Sequence, residues 1–153
     1  MNLIFDRAKP EDALKLIEVQ DLSFLEDYKM YGECPSYQEK EENMIDMIHN
    51  AIVYKISVNG DIVGDVIVRN RGNGTYYLRT ISVIPQFQNL GIGTKAIEFI
   101  EKNHPDGTVW LLITPEKSYR NRHFYEKLGY INKGEEHHSE NLTLIKYKKV
   151  IER

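Results

Sequence analysis

The stretch Val83-Ile84-Pro85-Gln86-Phe87-Gln88-Asn89-Leu90-Gly91-Ile92-Gly93 carries the most information in this chain. A β-branched run, Thr75–Ile84, ends against Pro85, which cannot donate to a strand ladder. Helical spacing then begins, with Ala96, Ile97 and Ile100 as the inward positions of a helix read over Thr94–Asn103. Between strand and helix sit two glycines, Gly91 and Gly93. Lacking Cβ, they permit a tight turn with several N–H groups pointing outward. The unpaired donors and partial positive charge of a helix N-terminus add to that, which makes a cradle for a pyrophosphate.

Moving toward the N-terminus, the texture is β. Ala51–Val58 and Ile62–Arg69 are β-branched runs separated by Asn59-Gly60-Asp61, and Asn-Gly is a strong hairpin signal. Asn70-Arg71-Gly72-Asn73-Gly74 reads as a second turn, so three strands form an antiparallel meander. Before them lie a strand over residues 2–7 and a helix opened by Pro10, running to about Asp27. A second helix follows, with Ser36 and Glu39 in capping-box spacing and an apolar stripe of Met44, Ile45 and Ile48.

Toward the C-terminus the pattern is α/β. Thr108–Thr114 is nearly all apolar, as expected of a strand covered on both faces. Residues 119–128 read as a short helix closed by Gly129. Tyr130–Lys133 and Leu142–Lys149 read as strands around a polar loop, Gly134–Asn141. No repeat or long linker divides the 153 residues, so the expectation is a single domain over 1–153.

The two familiar nucleotide-binding readings fail. Gly91-Ile92-Gly93-Thr94-Lys95-Ala96 matches the dinucleotide pattern G-x-G-x-x-A, but that pattern needs a parallel βαβ unit and a carboxylate at the end of the next strand. Here the preceding strands are hairpin-linked, and the next strand ends Leu111-Leu112-Ile113-Thr114. A P-loop fails on glycine spacing and on the order Gly-Thr-Lys.

The segment 83–93 instead resembles the Q/R-x-x-G-x-G/A acyl-CoA loop of the GNAT family of N-acetyltransferases. Asn121-Arg122-His123-Phe124-Tyr125-Glu126-Lys127-Leu128-Gly129-Tyr130 is similar to that family's second signature, an Asn, a Phe-Tyr pair and a Gly-aromatic. The resemblance implies an α/β (α+β) fold with a mixed, mostly antiparallel central sheet, helices on both faces and the order β-α-α-β-β-β-α-β-α-β-β. It implies acetyl-CoA as co-substrate and direct attack of a primary amine, carried by a small molecule or a peptide, through a tetrahedral intermediate. Backbone groups of Ile81 and Val83 would run beside the pantetheine arm, where two parallel strands splay apart. Gln88, Asn89, Leu90, Gly91, Ile92, Gly93 and Thr94 would hold the pyrophosphate through main-chain N–H groups. Asn121 would bond the pantetheine chain, and Tyr125 would stand near the thioester sulfur as general acid. A free phenol near pKa 10 and a thiol near 8.5 put full proton transfer to a thiolate uphill by roughly 2 kcal/mol, so hydrogen bonding is the expected role.

Some family members use a carboxylate base on the strand before the loop, yet Thr75-Tyr76-Tyr77-Leu78-Arg79-Thr80-Ile81-Ser82 holds no acid. Glu33 is an alternative in the segment Tyr28–Pro35, which is expected to border the acceptor pocket, although a solvated loop carboxylate is its simpler reading. Arg120, Arg122, Lys95 and Lys127 surround the two signatures, in reach of phosphates or merely solvated. A non-catalytic acyl-CoA-binding module is the alternative function.

Composition bounds the rest. One cysteine, Cys34, allows no internal disulfide and no Cys-rich zinc site. His137-His138 with His123 lacks metal-ligand spacing, so no metal is expected. The first 70 residues carry 14 acidic and 7 basic side chains and the remainder 9 acidic and 13 basic, an asymmetry that favours a cationic amine near the acidic half. A pI near 6.0 argues against nucleic acid as a partner. No apolar run reaches the roughly 20 residues of a membrane span, and no signal-peptide core opens the chain, so a cytoplasmic location without membrane contact is expected. Exposed strand edges near the C-terminus would suit a homodimer.

Overall fold

Both Asn-Gly pairs turn the chain sharply. In the computed structural model, which describes residues 1–152, Asn59 and Gly60 have φ of 52° and 91°, and Asn73 and Gly74 have 54° and 76°. Two successive positive φ values match the right-handed twist of the flanking strands. The turns join β2 (Ile52–Val58), β3 (Asp61–Gly72) and β4 (Thr75–Val83) into an antiparallel meander. The first strand, β1 (Leu3–Arg7), pairs antiparallel with β2. On the other side, β5 (Val109–Pro115) runs parallel to β4. Then β7 (Leu142–Val150) lies antiparallel to β5, and β6 (Ile131–Ser139) closes the sheet in the order β1-β2-β3-β4-β5-β7-β6.

Side-chain alternation sends the sheet's apolar residues to two layers. Val53 and Ile67 face α1 (Ala13–Tyr31) and α2 (Glu41–Asn50), packing with Leu16, Met44, Met47 and Ile48. Tyr54, Ile56, Val66 and Val68 face the opposite way. There they meet Ile92, Ala96, Ile97 and Ile100 of α3 (Ile92–Asn103) and Tyr125 of α4 (Tyr119–Lys127). The mixed, mostly antiparallel sheet with helices on both faces is the expected fold.

One irregularity in β4 positions the site. Val68 pairs with Leu78 and Ile67 with Thr80, leaving Arg79 as the extra residue of a β-bulge. Before the bulge, Tyr76 and Leu78 face the α3/α4 layer; after it Ile81 and Val83 do. The extra residue thereby turns Thr80 and Ser82 toward α1. Pairing of β4 with β5 covers only Thr75–Tyr77 against Val109–Leu111. From Leu78 onward that edge of β4 has no strand partner, and a gap opens between two parallel strands.

Four local expectations need correction. The second helix starts at Glu41, not beside Ser36, so no capping box forms there. Ser36 is buried with its Oγ 3.0 Å from Thr80 Oγ1, and Glu39 bonds Arg79; tertiary partners outcompete the local cap. The first helix extends past Asp27 to Tyr31 and ends on Gly32 in the left-handed region (φ 72°). The segment expected as a polar loop, 134–141, is mostly strand: β7 supplies its backbone partners, so weak strand propensity does not matter. Finally, β5 is not covered on both faces. Trp110, Leu112 and Thr114 are buried but Ile113 is 39% exposed, because α1 packs over β3 and β4.

At Gly64 the sheet leaves no room. A Cβ there would lie 2.0 Å from the Ser82 carbonyl oxygen, a backbone atom that cannot move alone. Gly64→Ala is therefore expected to destabilise the fold by roughly 1–3 kcal/mol or more, read as a lower urea midpoint at unchanged m-value.

Candidate active site

The loop leaving β4 is built around its side chains as much as its glycines. Pro85–Phe87 form a single 3-10 turn. Gln88 Nε2 then donates back to the Val83 carbonyl (2.9 Å). Asn89 (φ 64°) and Gly91 (φ 80°) both adopt left-handed backbone, and Gly91 caps α3. A Cβ at Gly91 would meet nothing within 4 Å, so the demand for glycine there is conformational. Gly93 is different. A Cβ would stand 3.1 Å from Phe124 Cζ, so this glycine lets α3 close on α4 and is not needed for a turn.

Helix geometry leaves the N–H groups of Ile92, Gly93 and Thr94 without intrahelical acceptors, the first bond running from Lys95 N to the Gly91 carbonyl (3.1 Å). A short loop, residues 84–91, separates those donors from the unpaired edge of β4, and the helix dipole stands behind them. Leu90 is 53% exposed beside them. Arg120 of α4 clamps the loop from outside, donating to Gln88 Oε1 (3.2 Å) and Asn89 Oδ1 (2.9 Å). Arg122 is committed to structure: it donates to the Glu116 carbonyl (2.9 Å) and to Tyr147 Oη (3.3 Å). It thereby ties α4 to β5 and β7.

Across the gap, Asn121 is exposed on α4 with its amide uncommitted among the described residues. One turn further on, Tyr125 is buried against Tyr130 and Tyr147, at ring separations of 5.9 and 6.3 Å. Burial pushes its phenol well above the usual value, so it stays protonated and offers a hydrogen bond. Its hydroxyl has no hydrogen-bond partner among the described residues.

The opposite, α1-facing side of β4 is polar. Ser36, Thr80, Ser82, Gln20 and Asp65 are all buried there. Ser82 Oγ donates to Asp65 Oδ1 (2.6 Å) and accepts from the Asp65 N–H (3.0 Å). Asp65 Oδ2 and Gln20 Oε1 are buried without partners among the described residues. Burial raises the Asp65 carboxyl to about 7, against the pull of Ser82 and Arg79. This acid was invisible in the sequence because it lies on β3, one strand away from the segment where a carboxylate was sought. Glu33, the alternative considered there, is occupied: it pairs with His138 Nε2 (3.1 Å) and accepts from Ser139 Oγ (3.0 Å), tying the α1–α2 connection to β6. Burial raises the Cys34 thiol, which keeps it unreactive. Among the described residues no cluster of three or more His, Cys, Asp or Glu has metal-holding geometry, and no helix is long and apolar enough to cross a membrane.

The splayed strands, the capped loop and the buried tyrosine define an acyltransferase architecture, and comparison with known proteins agrees. Residues 16–130 match the model of the acetyltransferase (GNAT) family. The chain belongs to that family. It is 32% identical over 137 residues to the uncharacterised protein YrkN of Bacillus subtilis, covering 85% of this chain and 72% of that one. In fold it is similar to the PaiA N-acetyltransferase of Thermoplasma acidophilum in complex with coenzyme A (TM-score 0.80, 16% identity, 99% of this chain and 100% of that one). A GNAT acetyltransferase of Elizabethkingia anophelis with acetyl-CoA bound is also similar (TM-score 0.66, 16% identity, 98% and 99% covered).

The Asp65 arrangement carries a sign for stability. Its folded pKa of about 7 lies above the ordinary carboxyl value of 3.8, so between those pH values the folded state binds the extra proton. That contribution is complete below about pH 4 and is lost as pH rises through 7. Asp65→Asn is expected to remove this decline, so that in urea unfolding the variant gains on the parent between pH 5 and pH 8.

Proposed function

We propose that this protein transfers an acetyl group from acetyl-CoA to a small primary amine by direct attack, without a covalent enzyme intermediate. The observation that carries the reading is the gap in which the unpaired edge of β4 from Leu78 to Val83 leads to the uncapped N–H groups of α3. The donor supplies an activated thioester; the chain supplies its holding and the proton placement.

In this reading the N–H groups from Asn89 to Thr94 bind the diphosphate, the Gln88 N–H being held by the Pro85 carbonyl (3.3 Å), and Arg120 keeps the loop rigid instead of meeting phosphate itself. The main-chain groups of Ile81 and the N–H of Val83, on the edge of β4 that β5 leaves unpaired, bond the pantetheine amides as a strand would, while the Val83 carbonyl stays with Gln88. The Asn121 amide serves the same arm. A main-chain N–H along the same edge stabilises the acyl oxygen as it gains charge. An N–C bond forms and the C–S bond breaks; the amine loses a proton and the sulfur gains one. Tyr125 donates a hydrogen bond to the departing sulfur. Its raised pKa makes outright proton transfer steeper than for a free phenol, so the bond and not the transfer is its contribution. Proximity in the gap supplies much of the remaining acceleration.

The reading is tested by thiol release from acetyl-CoA against a panel of amines. Release that depends on an amine supports it; coenzyme binding with no release points to an acyl-CoA-binding module. Tyr125→Phe is expected to lower kcat by roughly 10²-fold with the KM for acetyl-CoA little changed, and an unchanged kcat removes the tyrosine from the mechanism. Gly91→Ala forces a Cβ into left-handed backbone at a cost of roughly 1–2 kcal/mol. It is expected to weaken coenzyme A binding, measured by calorimetry, far more than Lys95→Ala.

A further inference from the structure

The bulge that opens the gap also opens a recess on its other side. Beside Arg79, between α2 and strands β3 and β4, lies a cavity of about 250 Å³ lined by Glu39, Asn43, Asp46, Met47, Arg69 and Arg79. It stands at the register where β4 leaves β5, on the α1/α2 layer, whereas Tyr125 belongs to the α3/α4 layer. Arg79 borders the recess and follows Leu78, where the unpaired edge of β4 begins, so an acceptor seated there lies on the sheet layer opposite Tyr125.

The lining is charged in a particular pattern. Arg79 is already neutralised: its guanidinium bonds Glu39 Oε1 at 3.0 Å and Thr80 Oγ1 at 3.1 Å, with the two ionic side chains only 22% and 11% exposed. Asp46 accepts one hydrogen bond, from the Asn50 amide to Oδ1 (2.7 Å), leaving Oδ2 free. Arg69 is half-buried on β3, and its side chain makes no hydrogen bond, ion pair or ring contact with another described residue. A guanidinium partly withdrawn from water and left without an anion offers a planar fork that fits a carboxylate. The recess thus holds one fixed ion pair, one free cation and one carboxylate with an open oxygen.

We propose that this recess is the acceptor site and selects a small primary amine that also carries a carboxylate, with Arg69 holding the carboxylate. The proposal rests on the transfer reading above for its location and goes beyond it in naming the acceptor's chemistry. It departs from the cationic acceptor that the acidic N-terminal half suggests. Glu39 and Asp46 do come from that half, but β3 and β4 bring two arginines against them, and a polyamine would meet both.

The test measures binding separately from turnover. The twenty common α-amino acids, their α-carboxamides, putrescine and spermidine are titrated by calorimetry into the protein with coenzyme A present. The parent, Arg69→Gln and Arg69→Lys are compared. At least one amino acid is expected to bind roughly ten- to a hundredfold more tightly than its carboxamide. Arg69→Gln should erase that difference, Arg69→Lys should keep part of it, and coenzyme A affinity should be the same in all three. Equal binding of acids and amides, tighter binding of a polyamine than of every amino acid, or a preference that survives Arg69→Gln overturns the proposal. Thiol release run in parallel separates the two readings. A carboxylate preference without release supports the recess and sinks acetyl transfer, whereas release with no such preference keeps transfer and sinks the recess.

Discussion

One extra residue in β4 governs the geometry of the site. Strand β4 pairs with β5 only over Thr75–Tyr77, so the main-chain groups of that edge beyond Tyr77 are not consumed by a ladder. Two residues further on, Arg79 is the extra residue of the bulge against β3. Beyond it β4 remains hydrogen-bonded to β3 but parts from β5, leaving backbone donors and acceptors exposed in the middle of a sheet. Unpaired main-chain groups are costly when buried and valuable when a ligand chain can supply their partners. The edge of β4 beyond Tyr77 is therefore available for an extended ligand to pair with.

The bulge also reverses which side chains face which layer, and this separates the chemistry. Toward α4 the gap is aromatic and dry, with Tyr125 set among Tyr130 and Tyr147. Toward α1 it is polar, with Ser36, Thr80, Ser82 and Asp65 buried together. A low-dielectric wall keeps a phenol protonated, and a hydroxyl-rich wall can meet a polar group with hydrogen bonds. Arg120, Arg122 and the Tyr147–Glu126 hydrogen bond hold α4 in register with the loop and the sheet, so the two walls keep their spacing.

Much of this was legible in the linear chain. Asn59-Gly60 and Asn73-Gly74 specify tight turns because few residues tolerate two successive positive φ values. Gly91 announced the capped loop for the same reason, and the apolar spacing of α3 needed only its own periodicity. Other features were out of reach. Ser36 and Glu39 look like a local cap and instead bond β4; Gly93 looks like a turn residue and instead admits Phe124. Residues 135–139 have no pattern of their own and are strand because β7 lies beside them.

The sequence by itself determined the meander, the loop after Pro85, the order of elements and the two signatures that flank the gap. Each of these depends on backbone torsions or on spacing within about ten residues, and such information is local. The tertiary structure alone decided where Asp65 sits, what Arg69 and Arg79 face, and that Glu33 is spent on His138. Those contacts join strands and helices far apart in the chain. A bulge that shifts side-chain parity by one residue changes which β4 side chains meet each layer while leaving the hydrophobic pattern that encodes the fold almost untouched.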